Sequence, residues 1–145
     1  MIDWNTSPNL NARHTVLIVS QDAEMTSVWK TLFEQRNCRV MIEHTPQAAV
    51  QTARLLSPAL TILELDLSQN ERIELCRELR AASNGTILLL APRANELEIS
   101  LYHQAGADEY IPTPISPMAL LIKSMAWLAR QEWLVPRKLT TNMYV

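Results

Sequence analysis

At 145 residues the chain is long enough to bury one core without help from disulfides or metal, so one domain is the simplest organisation. Hydrophobic residues make up 48% and charged residues 19%, which excludes a disordered chain, and a net charge of -2 excludes a general electrostatic surface for nucleic acid or membrane. Cys38 and Cys76 have no short metal-ligand spacing and read as thiols in a reducing compartment. No apolar run approaches the ~18 residues of a membrane span. No basic-then-apolar signal opens the chain, and a cytoplasmic protein without a bound cofactor is expected.

Met1 to Arg13 is polar and reads as a flexible leader. Thr15-Val16-Leu17-Ile18-Val19 is rich in β-branched residues and predicts a strand. Met25, Val28, Trp29, Leu32 and Phe33 then recur at helical spacing, predicting an amphipathic helix from Asp22 to about Gln35. Arg39 to Glu43 is a second, more polar strand suited to a sheet edge. Thr45-Pro46 supplies an N-cap with proline at the first helical position, opening a helix through Leu56. After a strand at Leu60 to Glu64, Ile73, Leu75, Cys76 and Leu79 mark a third helix, with Arg77 and Arg80 on its wetter side. Thr86 to Leu90 predicts a fourth strand and Glu96 to Ala105 a fourth helix, closed by Gly106 where a left-handed residue is favoured. Asp108 to Ile111 reads as a short fifth strand, and Ser116-Pro117 caps a last helix reaching about Gln131. The folded domain is bounded at 14–131. Glu132 to Val145 reads as a tail or the start of a linker and supplies no recognition helix, so direct nucleic-acid binding is not expected.

Five strands alternating with five helices imply an α/β fold: a five-stranded parallel sheet of order 2-1-3-4-5, flanked on both faces by helices. The organising stretch is Pro58 through Leu67, a short apolar run whose carboxyl end carries Glu64 and Asp66. In open parallel sheets ligands gather outside the carboxyl ends of the strands, so acids there draw attention first. Asp22 could join them in a weak acidic cluster, but a metal site is not expected. His14, His44 and His103 are scattered without catalytic or ligand spacing and read as surface residues.

From about Thr15 to Arg130 the chain resembles a response-regulator receiver domain of the CheY-like kind, nearest the OmpR/PhoB type. The resemblance is carried by Val16-Leu17-Ile18-Val19, by Pro58 through Leu67, and by Ile73 through Arg80. Gly106-Ala107-Asp108-Glu109-Tyr110-Ile111 and Pro112-Thr113-Pro114-Ile115-Ser116-Pro117 complete it. The resemblance implies an aspartate phosphoacceptor, a magnesium-binding acidic pair, a hydroxyl residue and a lysine. Here the acidic pair is Ser20 and Gln21, the acceptor position is Glu64, the hydroxyl position is Ala91 and the lysine position is Thr113. Two neutral residues cannot replace two carboxylates on a hard cation, and no fixed cation remains at the lysine position to offset a phosphoryl dianion. Tyr110 keeps the switch aromatic and is expected to pack against the last helix with its hydroxyl at the rim. A degenerate pseudo-receiver is expected, with no catalytic residue and no metal.

The resemblance also implies a homodimer through the fourth helix, fifth strand and fifth helix, held by crossed ion pairs. Asp108 and Glu109 match its acids, Lys123 and Arg130 its bases, and a further pair appears as apolar Ile99 and Ala119. Trp127 and Met125 on the last helix belong to core or interface. The expected function is a phosphorylation-independent module for signalling, dimerisation or partner docking in transcriptional control, acting on a protein partner or a fused output domain. The competing expectation is a receiver that retains metal-dependent phosphoacceptor activity, for which Asp66, two residues past the acceptor position, is out of place.

Overall fold

The structure, a computed structural model, describes residues 12–143, with side chains described as far as Glu132. Five strands, β1 (His14–Ser20), β2 (Cys38–Glu43), β3 (Leu60–Glu64), β4 (Thr86–Ala91) and β5 (Glu109–Pro112), alternate with five helices. These are α1 (Ala23–Glu34), α2 (Pro46–Leu56), α3 (Gln69–Ala82), α4 (Glu96–Ala105) and α5 (Pro117–Met143). All neighbouring strands pair in parallel, in the order β2-β1-β3-β4-β5.

Strand alternation builds two cores from one sheet. Leu17, Val19, Leu63 and Leu89 enter a core closed by α2, α3 and α4. Val16, Ile18, Ile62 and Leu88 enter a second one, closed by α1 and α5. β1, β3 and β4 are apolar on both faces because both are covered, while β2 at the edge exposes Arg39. The helices start where short polar side chains accept orphan N–H groups. Thr45 accepts from Ala48 at α2, Asn95 accepts from Glu98 at α4, and Ser68 with Glu71 forms a reciprocal capping box at α3. Gly106 closes α4 at φ 124°.

Four expectations are corrected. Val28, read as part of the core stripe, is 45% exposed. The inward stripe of α1 runs through Thr26, Trp29 and Phe33, and Val28 lies about 100° round the helix from Trp29. Thr26 is tolerated inside because its hydroxyl donates to the Ala23 carbonyl at 3.1 Å. Arg13, assigned to the leader, belongs to the fold: its N–H donates to the Asn37 carbonyl at 3.1 Å and its guanidinium pairs with Glu132. The last helix does not stop near Gln131 but continues to Met143. Arg80, read as wet, is half-buried, because its guanidinium turns back onto Gly85, Gly106 and Asp108. The rest of the leader, residues 1–11, and the tail side chains after Glu132 lie outside the described residues.

Candidate functional site

The carboxyl ends of β1, β3 and β4 and the turn after β5 surround one cavity of about 280 Å³. Parallel strands all end on this side, so residues far apart in sequence meet here. Ser20, Gln21 and Asp22 arrive from β1, Glu64 and Asp66 from β3, Ala91 from β4, and Thr113 from the turn after β5. The seven positions singled out in the sequence therefore share one cavity wall.

Ser20 is buried and joins the others. Its hydroxyl donates to Glu64 Oε1 at 3.3 Å and accepts the Asp22 N–H at 3.1 Å. Its carbonyl lies 2.8 Å from His44 Nδ1, and because a carbonyl only accepts, the imidazole carries its proton on Nδ1. His44 is exposed, as expected of a surface residue, and through this contact also buttresses the end of β1. Burial pushes the Glu64 carboxyl above the usual carboxylate range; the Ser20 hydroxyl draws it down and the Asp22 charge adds to the rise. A folded pKa above the unfolded one means the folded state holds the proton more tightly. Stability then falls as pH rises between the two values, and ionised Glu64 opposes folding at neutral pH. Glu64→Gln is therefore expected to stabilise the chain at pH 7, by less than about 1 kcal/mol given the half-exposed carboxyl. The gain should vanish near pH 4, below the ordinary value of about 4.3 for glutamate. Urea unfolding of both chains at the two pH values checks this, and a destabilised variant at pH 7 refutes it.

The magnesium that the fold family implies does not fit these residues. A hard divalent cation needs several oxygen ligands, carboxylates above all. Ser20 Oγ is already engaged on both sides, and the Asp22 carboxylate caps α1 by accepting the Met25 N–H at 3.0 Å. Asp22, Glu64 and Asp66 line the same cavity, yet among the described residues no group of three or more acids, histidines or cysteines is placed to hold a metal ion.

One cation on the wall, Arg72 in the first turn of α3, escaped the sequence reading. Its Nη1 donates to the Tyr102 hydroxyl at 3.4 Å, and its buried Nε has no partner among the described residues. Tyr102, fully buried on α4, stacks on Tyr110 with ring centroids 6.0 Å apart. Tyr110 therefore packs against α4, not the last helix as expected. Its neighbour Ile111 enters the core under α5, and alternation along β5 sends Tyr110 to the opposite face. The Tyr110 hydroxyl donates to the Pro92 carbonyl at 2.7 Å, returning to the cavity wall.

The expected dimer residues lie on and beside α4, β5 and α5, with their charges engaged inside the chain. Asp108 accepts from Arg80 at 2.7 Å and from the Ile87 N–H at 2.8 Å. Glu109 accepts from Lys123 at 2.8 Å and from Trp127 Nε1 at 2.9 Å. Burial alone would push the Glu109 carboxyl up; Lys123 and Trp127 outweigh it and hold the group below the usual range. Arg130 lies over the Trp127 ring at 5.2 Å, a cation–π contact. Ile99 and Ala119 are partly exposed, and Leu97 on α4 is 69% exposed.

The transcriptional regulatory protein CpxR of Escherichia coli (strain K12) is 30% identical over 120 residues, covering 81% of this chain and 50% of that protein. The DNA-binding response regulator MtrA of Mycobacterium tuberculosis (strain CDC 1551 / Oshkosh) is 28% identical, covering 83% of this chain and 53% of MtrA. The chain thus spans about half the length of the curated relatives it matches. Among solved structures, a two-component response regulator from Clostridium difficile superposes with a TM-score of 0.73 at 21% identity, covering 82% of this chain and 98% of that one. A CheY-like receiver domain protein from Methanospirillum hungatei JF-1 gives 0.73 at 24% identity, with 82% and 96% covered. These last two establish the fold. Residues 16–124 match the family described as the response regulator receiver domain, and with that span the chain belongs to this family.

Proposed function

We propose that this receiver domain is a phosphorylation-independent signalling module, not an enzyme of its own phosphorylation, and that it works in transcriptional control through self-association or docking of a protein partner or fused output domain. One observation carries the reading: at the carboxyl ends of the strands, every group that would bind, accept and grip a phosphoryl group is replaced at once. Ser20 and Gln21 stand for acids, Glu64 for the acceptor, Ala91 for the hydroxyl and Thr113 for the lysine, all on one cavity wall. Losing one such group slows a transfer; losing all of them removes both the electrophile's clamp and the acceptor's geometry. Incubation with magnesium and acetyl phosphate, followed by intact-mass measurement, is expected to leave the mass unchanged. A stoichiometric, magnesium-dependent gain of one phosphoryl group, on Asp66 or elsewhere, overturns the reading.

Self-association through α4, β5 and α5 is the second part of the proposal. Exposed Leu97 and partly exposed Ile99 support it on the apolar side. Lys123, by contrast, already has Glu109, so a crossed ion pair would replace an existing bond and add little. Ile99→Glu is therefore expected to weaken self-association more than Lys123→Ala does, since it places a charge where an apolar side chain would be buried, whereas Lys123→Ala removes at most an exposed pair worth ~0.2–1 kcal/mol. Sedimentation at matched concentrations decides it. A wild-type chain that stays monomeric when concentrated, or an Ile99→Glu chain that associates as well as wild type, removes this part.

A further inference from the structure

Two groups on the cavity wall lack partners of opposite kind. Among the described residues Glu64 receives one side-chain donor, the long 3.3 Å contact from Ser20, and burial already disfavours its charge. Arg72 forms no ion pair among the described residues, and its buried Nε donates to nothing. Its single side-chain contact, 3.4 Å to the Tyr102 hydroxyl, lies at the weak limit of hydrogen bonding. Both residues face the same cavity and are not bonded to each other. A guanidinium without a counter-charge is answered by a carboxylate or phosphate, whose oxygens its planar fork can hold with paired bonds.

The character of an occupant follows by elimination. A simple oxyanion would satisfy Arg72 but meet Asp22, Glu64 and Asp66 on the same wall. A simple amine would satisfy the acids but leave the Arg72 guanidinium without a counter-charge. The volume, about 280 Å³, sits at the lower edge of small-molecule sites and excludes a large cofactor. We propose that the cavity binds a small zwitterion of the α-amino-acid class, with its carboxylate on Arg72 and its ammonium group on Glu64. The proposal rests on the reading that this cavity no longer serves phosphotransfer.

Such a ligand has a route to the rest of the domain. A carboxylate is a stronger acceptor for Arg72 than the Tyr102 hydroxyl, so binding draws the guanidinium off Tyr102. Tyr102 stacks on Tyr110, and Tyr110 holds the Pro92 carbonyl on the cavity wall. The ring signals of both tyrosines therefore report occupancy.

The test titrates the full chain with the common α-amino acids, each to about 10 mM, without magnesium or phosphodonor, and reads tyrosine ring shifts by NMR. At least one amino acid is expected to bind at millimolar affinity or tighter. Its N-acetyl derivative and its decarboxylated amine should both fail. Arg72→Gln and Glu64→Gln should each weaken binding at least about tenfold, the loss of one charged hydrogen bond. Arg72→Lys should recover only part, lacking the guanidinium fork. If Arg72→Gln does not fold, Glu64→Gln carries the same test. The proposal is overturned if no amino acid shifts the tyrosines, if the N-acetyl derivative binds equally well, or if Glu64→Gln or a folded Arg72→Gln chain binds like wild type. The two failures are distinguishable: a magnesium-dependent mass gain removes the functional reading and this proposal with it, whereas a failed titration leaves that reading standing.

Discussion

Gly85→Ala is expected to destabilise the domain by about 3 kcal/mol or more, a large share of the ~5–15 kcal/mol that holds a domain together. A methyl group at residue 85 would sit 2.0 Å from the Pro58 carbonyl oxygen and 2.9 Å from the carbonyl of Ala59. These are backbone atoms at the entry to β3, and they are fixed from several directions. Ala59 donates to the Thr15 carbonyl at 2.9 Å, and its own carbonyl accepts from Thr86 at 2.9 Å and from Gln131 Nε2 at 2.7 Å. Relief would require breaking the ladder between β1, β3 and β4 at its first rung. Urea unfolding should show a lower midpoint with an unchanged slope. A midpoint equal to wild type would mean that this loop moves freely, against the bonding described here.

Arg80→Ala is the second large effect, at about 2–4 kcal/mol. The guanidinium donates to the Gly85 carbonyl at 2.8 Å, to the Gly106 carbonyl at 2.8 and 3.3 Å, and to Asp108 at 2.7 Å. Asp108 in turn accepts the Ile87 N–H, so one side chain of α3 joins the entries of β4 and β5. Partial exposure, 32% for Arg80 and 34% for Asp108, lets water answer some of the freed groups and keeps the loss below that of a buried pair. Arg80→Lys should restore less than half of the loss, because an ammonium group cannot reach three acceptors from a planar fork. A thermal or urea scan of the three chains tests this. Equal stability of Arg80→Ala and wild type would reduce the cluster to a surface ion pair.

Much of the architecture was legible because it rests on local chemistry. The runs at Val16, Ile62 and Leu88 are apolar without alternation, as strands covered on both faces must be, and Thr45-Pro46 marks a helix start by its own hydrogen bonding. The convergence of Ser20, Glu64, Ala91 and Thr113 was legible too, since each lies at or just past a strand's carboxyl end and parallel strands place those ends together. What stayed hidden depends on reach and on facing. Arg72, Arg77 and Arg80 share one helix, and nothing in their spacing tells which guanidinium enters a cavity, which stays wet and which clasps Asp108. Tyr110 was assigned to the wrong side because a strand of four residues gives too short an alternation to fix its phase. His44 was passed over because its partner is a main-chain carbonyl, which leaves no mark in a sequence.

The contacts at Gln131 and Glu132 make α5 a strut with two unequal pins. Near its start the Ser116 hydroxyl accepts the Ala119 N–H, and about 20 Å further on Gln131 reaches the Ala59 carbonyl and Thr86 Oγ1. One residue beyond, Glu132 takes the Arg13 guanidinium and lies 3.0 Å from His14 Nε2. The first of these two fastenings is part-buried hydrogen bonding, which salt leaves intact; the second combines the part-buried His14 contact with an ion pair to Arg13, which is 66% exposed, and salt screens only that pair. Raised ionic strength therefore weakens one half of the outer pin and leaves the His14 contact and the inner pin in place.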